Sequence, residues 1–141
     1  MKIADTNVVK VLSDDGIKGI DEKKLRKYEN ITSVNVDEIR KDLGMGSWAV
    51  RLVFNDIFSG VLIQQQPGEG NRHHYHKYAD ESWVILDGEW EWYIEDKKIK
   101  VKKGDFVLAP KGKWHHNKCI GKEVGLKYSI NPPNVEHIYS D

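Results

Sequence analysis

Three of the chain's six histidines fall within four positions, in the stretch RHHYHKYADESW that runs from Arg72 to Trp83. In an extended segment, side chains two positions apart share a face, so His74 and His76 project together while His73 and Tyr75 point the other way. Two imidazoles aimed at one point can chelate a metal ion. Glu81 lies five positions beyond His76, an odd offset that a straight strand would put on the opposite face. The intervening KYAD must therefore turn or bulge. After that bend Glu81, Trp83 and Ile85 share one face, and the carboxylate can come back toward the two imidazoles. A further ligand has to arrive from elsewhere, and PKGKWHH offers it: Pro110 and Gly112 form a turn, and His115 follows at the start of a strand. Three neutral imidazoles and one carboxylate suit a divalent first-row ion such as Fe, Mn, Co, Ni or Zn. A six-coordinate ion would keep two positions for water or substrate.

The neighbouring residues divide by parity. His73 and His116 flank ligand positions on the wrong face and are expected to support the site or lie at the surface, and His137 is expected to be solvent-exposed. Trp83 shares the parity of Glu81, and Trp114 directly precedes His115, so both are expected to shape the cavity. Trp90 and Trp92 share a face with Ile94, where they either fill the core or form an aromatic wall for substrate. Tyr78 and Tyr128, with Glu81 itself, are the candidates for moving a proton. Arg51 and Arg72 can attract a carboxylate substrate, although arginine is more often a surface residue. Cys119 reads as a small buried filler.

The elements that must position these groups are short. From Trp48 onward, runs rich in β-formers alternate with glycine and proline turns, the pattern of an antiparallel sandwich or barrel. SWAVRLVFND, GVLIQQQPG, ESWVILDG, EWEWYIED, KIKVKKGD, FVLAPKG and VGLKYSINPP are the strand candidates. Residues 1–46 are strongly charged and read as a partly helical extension, with a short helix capped by Asn35 and ended by Gly44. Residues 47–141 then form one β domain. Hydrophobic residues at 39% and charged residues at 31% of 141 positions suit one globular core. Lysine plus arginine equals aspartate plus glutamate at 22 each, so the basic footprint of a nucleic-acid binder is missing. The apolar run that a membrane-spanning helix needs is missing too, and a single cysteine suits a reducing compartment, so a cytoplasmic protein is expected.

At these residues the sequence resembles the cupins. Their first motif reads glycine, five residues, His-x-His, three or four residues, glutamate, six residues, glycine, and here Gly68, His74, His76, Glu81 and Gly88 fit it. The second reads glycine, five residues, Pro-x-Gly, two residues, histidine, three residues, asparagine; Gly104, Pro110, Gly112 and His115 fit, and Cys119 stands in place of the asparagine. The resemblance implies an all-β jelly-roll β-barrel of the RmlC-like type, with one divalent metal ion per chain held by His74, His76, Glu81 and His115. It also implies pairing into homodimers, in which residues 1–46 would have a part.

Two classes of function follow. The first is a metal-dependent enzyme on a small polar or anionic metabolite, either a dioxygenase or a lyase or isomerase, with Tyr78, Glu81 and Tyr128 as its catalytic candidates. Arg51, Trp83, Trp90, Trp92 and Trp114 are its candidates for binding substrate. Small cupins that cleave dimethylsulfoniopropionate carry a tyrosine two positions after the motif glutamate, where this chain has Trp83, and that weakens the lyase analogy. The alternative is a noncatalytic module that binds a sugar or a small acid.

Overall fold

A computed structural model describes residues 7–141 of the chain, so the first six residues of the expected extension lie outside the described residues. Three helices come first: α1 over Val8–Asp14, α2 over Glu22–Arg26 and α3 over Val36–Leu43. Each begins at a side chain that accepts from a backbone N–H of its first turn: Asn7 from Lys10, Asp21 from Lys24 and Asn35 from Glu38. Gly44 ends α3 with a positive φ of 86°.

Ten strands follow: β1 Trp48–Phe54, β2 Ser59–Gln65, β3 His74–Tyr75, β4 Glu81–Asp87, β5 Glu89–Ile94, β6 Lys97–Lys102, β7 Phe106–Ala109, β8 His115–Ile120, β9 Gly125–Asn131 and β10 Ile138–Tyr139. They pair antiparallel into two five-stranded sheets, β1-β2-β9-β4-β7 and β10-β3-β8-β5-β6. Among the described residues the expected barrel is therefore a jelly roll of two sheets. The two sheets pack face to face over Trp83, Ile85, Val107 and Ala109 of the first and Trp90, Trp92, Val101 and Cys119 of the second. Gly88 makes the β4–β5 turn possible. Its φ is 79°, and a Cβ there would lie 2.6 Å from the Gly125 backbone, so only glycine fits.

The charged extension packs its few apolar side chains on the β domain. α3 lies on the outer face of the first sheet and buries Ile39 against Trp48, Val50, Leu62 and Leu126. Arg40 fastens it, donating to Gln64 Oε1 at 2.9 Å and to Asp87 Oδ2 at 2.7 Å. On the inner face, Val8 of α1, Ile17 and Leu25 of α2 pack on Ala49, Val61 and Ile63. The segment thus closes one end of the chain's own jelly roll. No helix of the described residues is long and apolar enough to cross a membrane.

Candidate metal centre and its cavity

His74, His76, Glu81 and His115 converge at one buried point, with one ligand atom of each lying within 4.8 Å of the others. The register explains the convergence. β3 and β8 pair with His74 directly opposite His115, and the two rings lie 4.3 Å apart. His76 shares the face of His74, with Nε2 atoms 3.2 Å apart. Residues Lys77 and Tyr78 bend, and β4 then begins at Glu81, whose Oε1 lies 2.9 Å from His76 Nε2 and 3.4 Å from His115 Nε2. The inward alternation of β4 is visible in burial, with Glu81, Trp83 and Ile85 buried and Ser82 and Val84 half-exposed.

The hydrogen bonds fix which ring nitrogen faces the centre. Nδ1 of His74 lies 2.7 Å from Arg72 O, that of His76 2.9 Å from Glu136 O and that of His115 3.0 Å from Lys113 O. A carbonyl can only accept, so each Nδ1 carries the proton and each neutral ring turns the lone pair of Nε2 inward. Ser129 Oγ donates to Glu81 Oε2 at 2.7 Å and holds the carboxylate in place. His115 Nε2 is buried without a hydrogen-bond partner, 3.4 Å from Glu81 Oε1. Three such nitrogens and a carboxylate in close quarters repel one another unless a positive charge, a proton on His76 or a metal ion, stands between them. Backbone acceptors behind metal-binding histidines are the usual support for that arrangement. The residues present therefore fit a divalent transition metal, and the group could hold one.

Titration follows from the crowding. Burial opposes the charge of Glu81, yet the imidazoles of His115 and His76 outweigh it and hold the carboxyl well below its usual range. Burial also opposes protonation of His76, but the adjoining Glu81 carboxylate raises it above the ordinary histidine value. His74 is pushed down to about 3, first by burial and then by the neighbouring His115.

The cage adjoins a cavity of about 280 Å³, in whose wall Glu81 and Trp83 take part. That volume lies near the lower end for small-molecule sites, which run to roughly 300–1,000 Å³. α1 contributes Val8, Val11 and Leu12 to the lining, residues 131–137 contribute Pro132, Val135 and His137, and the sheets contribute Arg51, Asn117, Lys127 and Ser129. Arg72 ties α1 to β10: it donates to Asp14 O at 2.7 Å, and its guanidinium lies 3.7 Å from the centre of the Tyr139 ring. Asp15, at the end of α1, reaches 3.6 Å from His74 Nδ1 and is raised to about 7, mainly by burial and then by the charge of Glu81.

Several expectations from the sequence need correction. His137 is not solvent-exposed: its ring lies 4.8 Å from that of His74 and 4.6 Å from that of His76, and burial pushes its pKa down to about 4. Tyr78, expected to move protons, is 81% exposed in the bend and does not line the cavity beside the cage. Tyr128 points to the outer face of β9, beneath α3, because the inward positions of that strand are Lys127 and Ser129. Trp114 packs outward, stacked on His73 at 4.8 Å and edge-on to Tyr75 at 4.7 Å. Trp90 and Trp92 are fully buried core filling behind the cavity wall. Arg51 does line the cavity, but its guanidinium pairs with Glu29 at 2.7 Å and lies over Phe54 at 4.0 Å. Cys119 is buried, as a filler should be, and burial raises its thiol pKa.

Sequence reasoning missed Asp15, Asn117, Lys127 and Ser129. Strand alternation in GLKYSIN carried the signal for two of them, since Lys127 and Ser129 share a face that Tyr128 does not.

Residues 61–131 match the cupin domain family. Over 63 residues the chain is 43% identical to an uncharacterized protein of Aquifex aeolicus, covering 45% of this chain and 51% of that one. It is 28% identical over 85 residues to quercetin 2,3-dioxygenase of Bacillus subtilis, covering 60% of this chain and 25% of that one. The chain spans between 25% and 62% of the length of the curated relatives it matches. Its structure superposes with a TM-score of 0.66 on a double-stranded β-helix protein of Klebsiella pneumoniae, at 20% identity, over 79% of this chain and 99% of that one.

Proposed function

The chain belongs to the cupin family, and on that premise we propose that it is a metal-dependent enzyme acting on a small anionic metabolite. His74, His76, His115 and Glu81 are the metal ligands of this reading. One observation carries it: Glu81 belongs both to the cage and to the wall of the cavity, so a molecule held in the cavity meets the ligand set directly. A divalent first-row ion held by these four residues would supply Lewis acidity and, as Fe(II), redox chemistry with oxygen.

The chain's own residues prepare that chemistry. The carbonyls of Arg72, Glu136 and Lys113 keep the three imidazoles in one tautomer, and Ser129 keeps Glu81 turned toward them. Apolar side chains of α1 and of residues 132–137 cover the cavity and limit water around the reacting groups. The dioxygenase branch is the first choice. The similarity to quercetin 2,3-dioxygenase supports it, and neither Tyr78 nor Tyr128 faces the cavity to serve a tyrosine-driven elimination. A lyase or isomerase is the second reading, favoured by the Asp15 carboxyl in the cavity wall, which could carry a proton.

The test is to load the full chain separately with Fe(II), Mn, Co, Ni and Zn and to present small hydroxy, keto and amino acids with and without oxygen. Oxygen uptake coupled to product in the Fe(II) form is the expected result. Product formed without oxygen would select the second reading, and acids that bind unchanged in every form would make the protein a noncatalytic binding module.

A further inference from the structure

We propose that Lys127 and Asn117 form a carboxylate-binding site in the cavity wall, and that the substrate is accordingly a small carboxylic acid held by its charged end on these two side chains. The inference rests on reading the cavity as the substrate pocket and names the chemistry that the pocket selects.

Lys127 sits in the middle of β9 with 1% of its surface exposed. Its ammonium donates to Asn117 Oδ1 at 2.6 Å and lies 4.7 Å from the centre of the Trp90 ring and 5.6 Å from that of Trp92. An ammonium has three N–H donors, and a single conventional acceptor takes one of them. The indole faces stabilise the charge without supplying strong acceptors. Among the described residues no carboxylate lies within ion-pair distance of it; Asp15 and Glu81, in the same cavity wall, act on its charge only from farther away.

Asn117 carries an independent sign. It too is 1% exposed and lines the cavity, and because lysine can only donate, its amide oxygen must be the atom that faces Lys127. Its Nδ2 is thereby left as a buried donor with no protein partner. Buried donors of this kind are costly unless something accepts from them.

A carboxylate answers both needs, with one oxygen for the ammonium, one for the amide N–H, and a single negative charge. A neutral sugar would satisfy the amide but bring the ammonium no negative charge at contact distance. A phosphate dianion brings two charges, and among the described residues of the lining the guanidinium of Arg51 is already paired with Glu29. The cavity of about 280 Å³ limits the acid to a small one.

Calorimetric titration of the Zn-loaded full chain with lactate, pyruvate and succinate, each beside its neutral amide, tests the proposal. In the wild type at least one acid should bind tenfold or more tightly than its amide. Lys127→Met should remove that preference while amide binding and metal content stay as they were. Asn117→Asp places a carboxylate beside the ammonium and should remove the preference too, with no loss of thermal stability, so it decides the matter if Lys127→Met does not fold. A wild type that binds no acid, or binds acids no better than amides, overturns the proposal, as does a preference that survives both substitutions. A chain that takes up no metal yet shows the Lys127-dependent preference would keep this inference and sink the enzyme reading.

Discussion

At the histidine cage, three ring nitrogens and a carboxylate bring electron pairs to one point, whereas at Lys127 and Asn117, in the wall of the adjoining cavity, an ammonium and an amide bring N–H donors that protein acceptors only partly match. The first group suits a cation and the second an anion. A metal store would use the cage and have no need of the lysine, and a simple acid-binding module would use the lysine and have no need of the cage. Together they suit a protein that brings an acid to a metal. Their supports differ as well. Backbone carbonyls hold the histidines rigidly, while Lys127 rests on indole faces and a single amide oxygen.

The comparison can be broken most sharply at His76. His76→Ala should lower metal affinity by more than ~100-fold while the strands persist in circular dichroism, because losing even a supporting partner of a ligand costs ~10–100-fold. Glu81→Gln should weaken the metal less than the loss of a histidine, since an amide oxygen still coordinates but lacks the charge; competition with a chelating dye measures both. Below these comes the lysine. Burial holds Lys127 at about 8 against an ordinary 10.5, so the folded state gives up its proton before the unfolded state does. Between those pH values this side chain binds more protons in the unfolded chain than in the folded one, so its contribution to stability rises with pH. Relative to Lys127→Met, wild type should therefore gain up to ~3 kcal/mol, at about 1.4 kcal/mol per pH unit, as pH rises from about 8 to 10.5. Below 8 the difference should be flat. A constant difference across that range would mean that the ammonium is not buried as described. Ser129→Ala removes the donor to Glu81 Oε2 and should cost ~10-fold in metal affinity with the fold unchanged. Smallest of all, Tyr78→Phe should alter neither metal binding nor turnover, since Tyr78 lies in the solvent-exposed bend.

The cage was legible in the sequence because its ligands obey local rules. Strand parity joins His74 to His76, the bend at KYAD returns Glu81, and a proline-glycine turn delivers His115. α3 was legible for the same kind of reason, through its cap at Asn35 and its stop at Gly44. The anion-seeking wall was not. Asn117 and Lys127 lie on strands of different sheets, and only their face-to-face packing makes them neighbours. The inside-outside rule also misleads on β9, where Leu126 and Tyr128 pack outward under α3 and the polar Lys127 and Ser129 turn inward. On this strand the cavity takes the polar side chains and the helix-covered exterior the apolar ones, and Tyr128, expected to move a proton, is turned away from the cavity. His137 and Asp15 reach the cage from segments near either end of the chain, with no motif to announce them.

The account depends most on the cage holding a metal ion. Elemental analysis of the full chain, after loading with Fe(II), Mn, Co, Ni or Zn and removal of excess ion, should find close to one ion per chain in the wild type and far less in His76→Ala. A wild type that emerges metal-free from every loading, or a His76→Ala protein that keeps its ion in full, would contradict it.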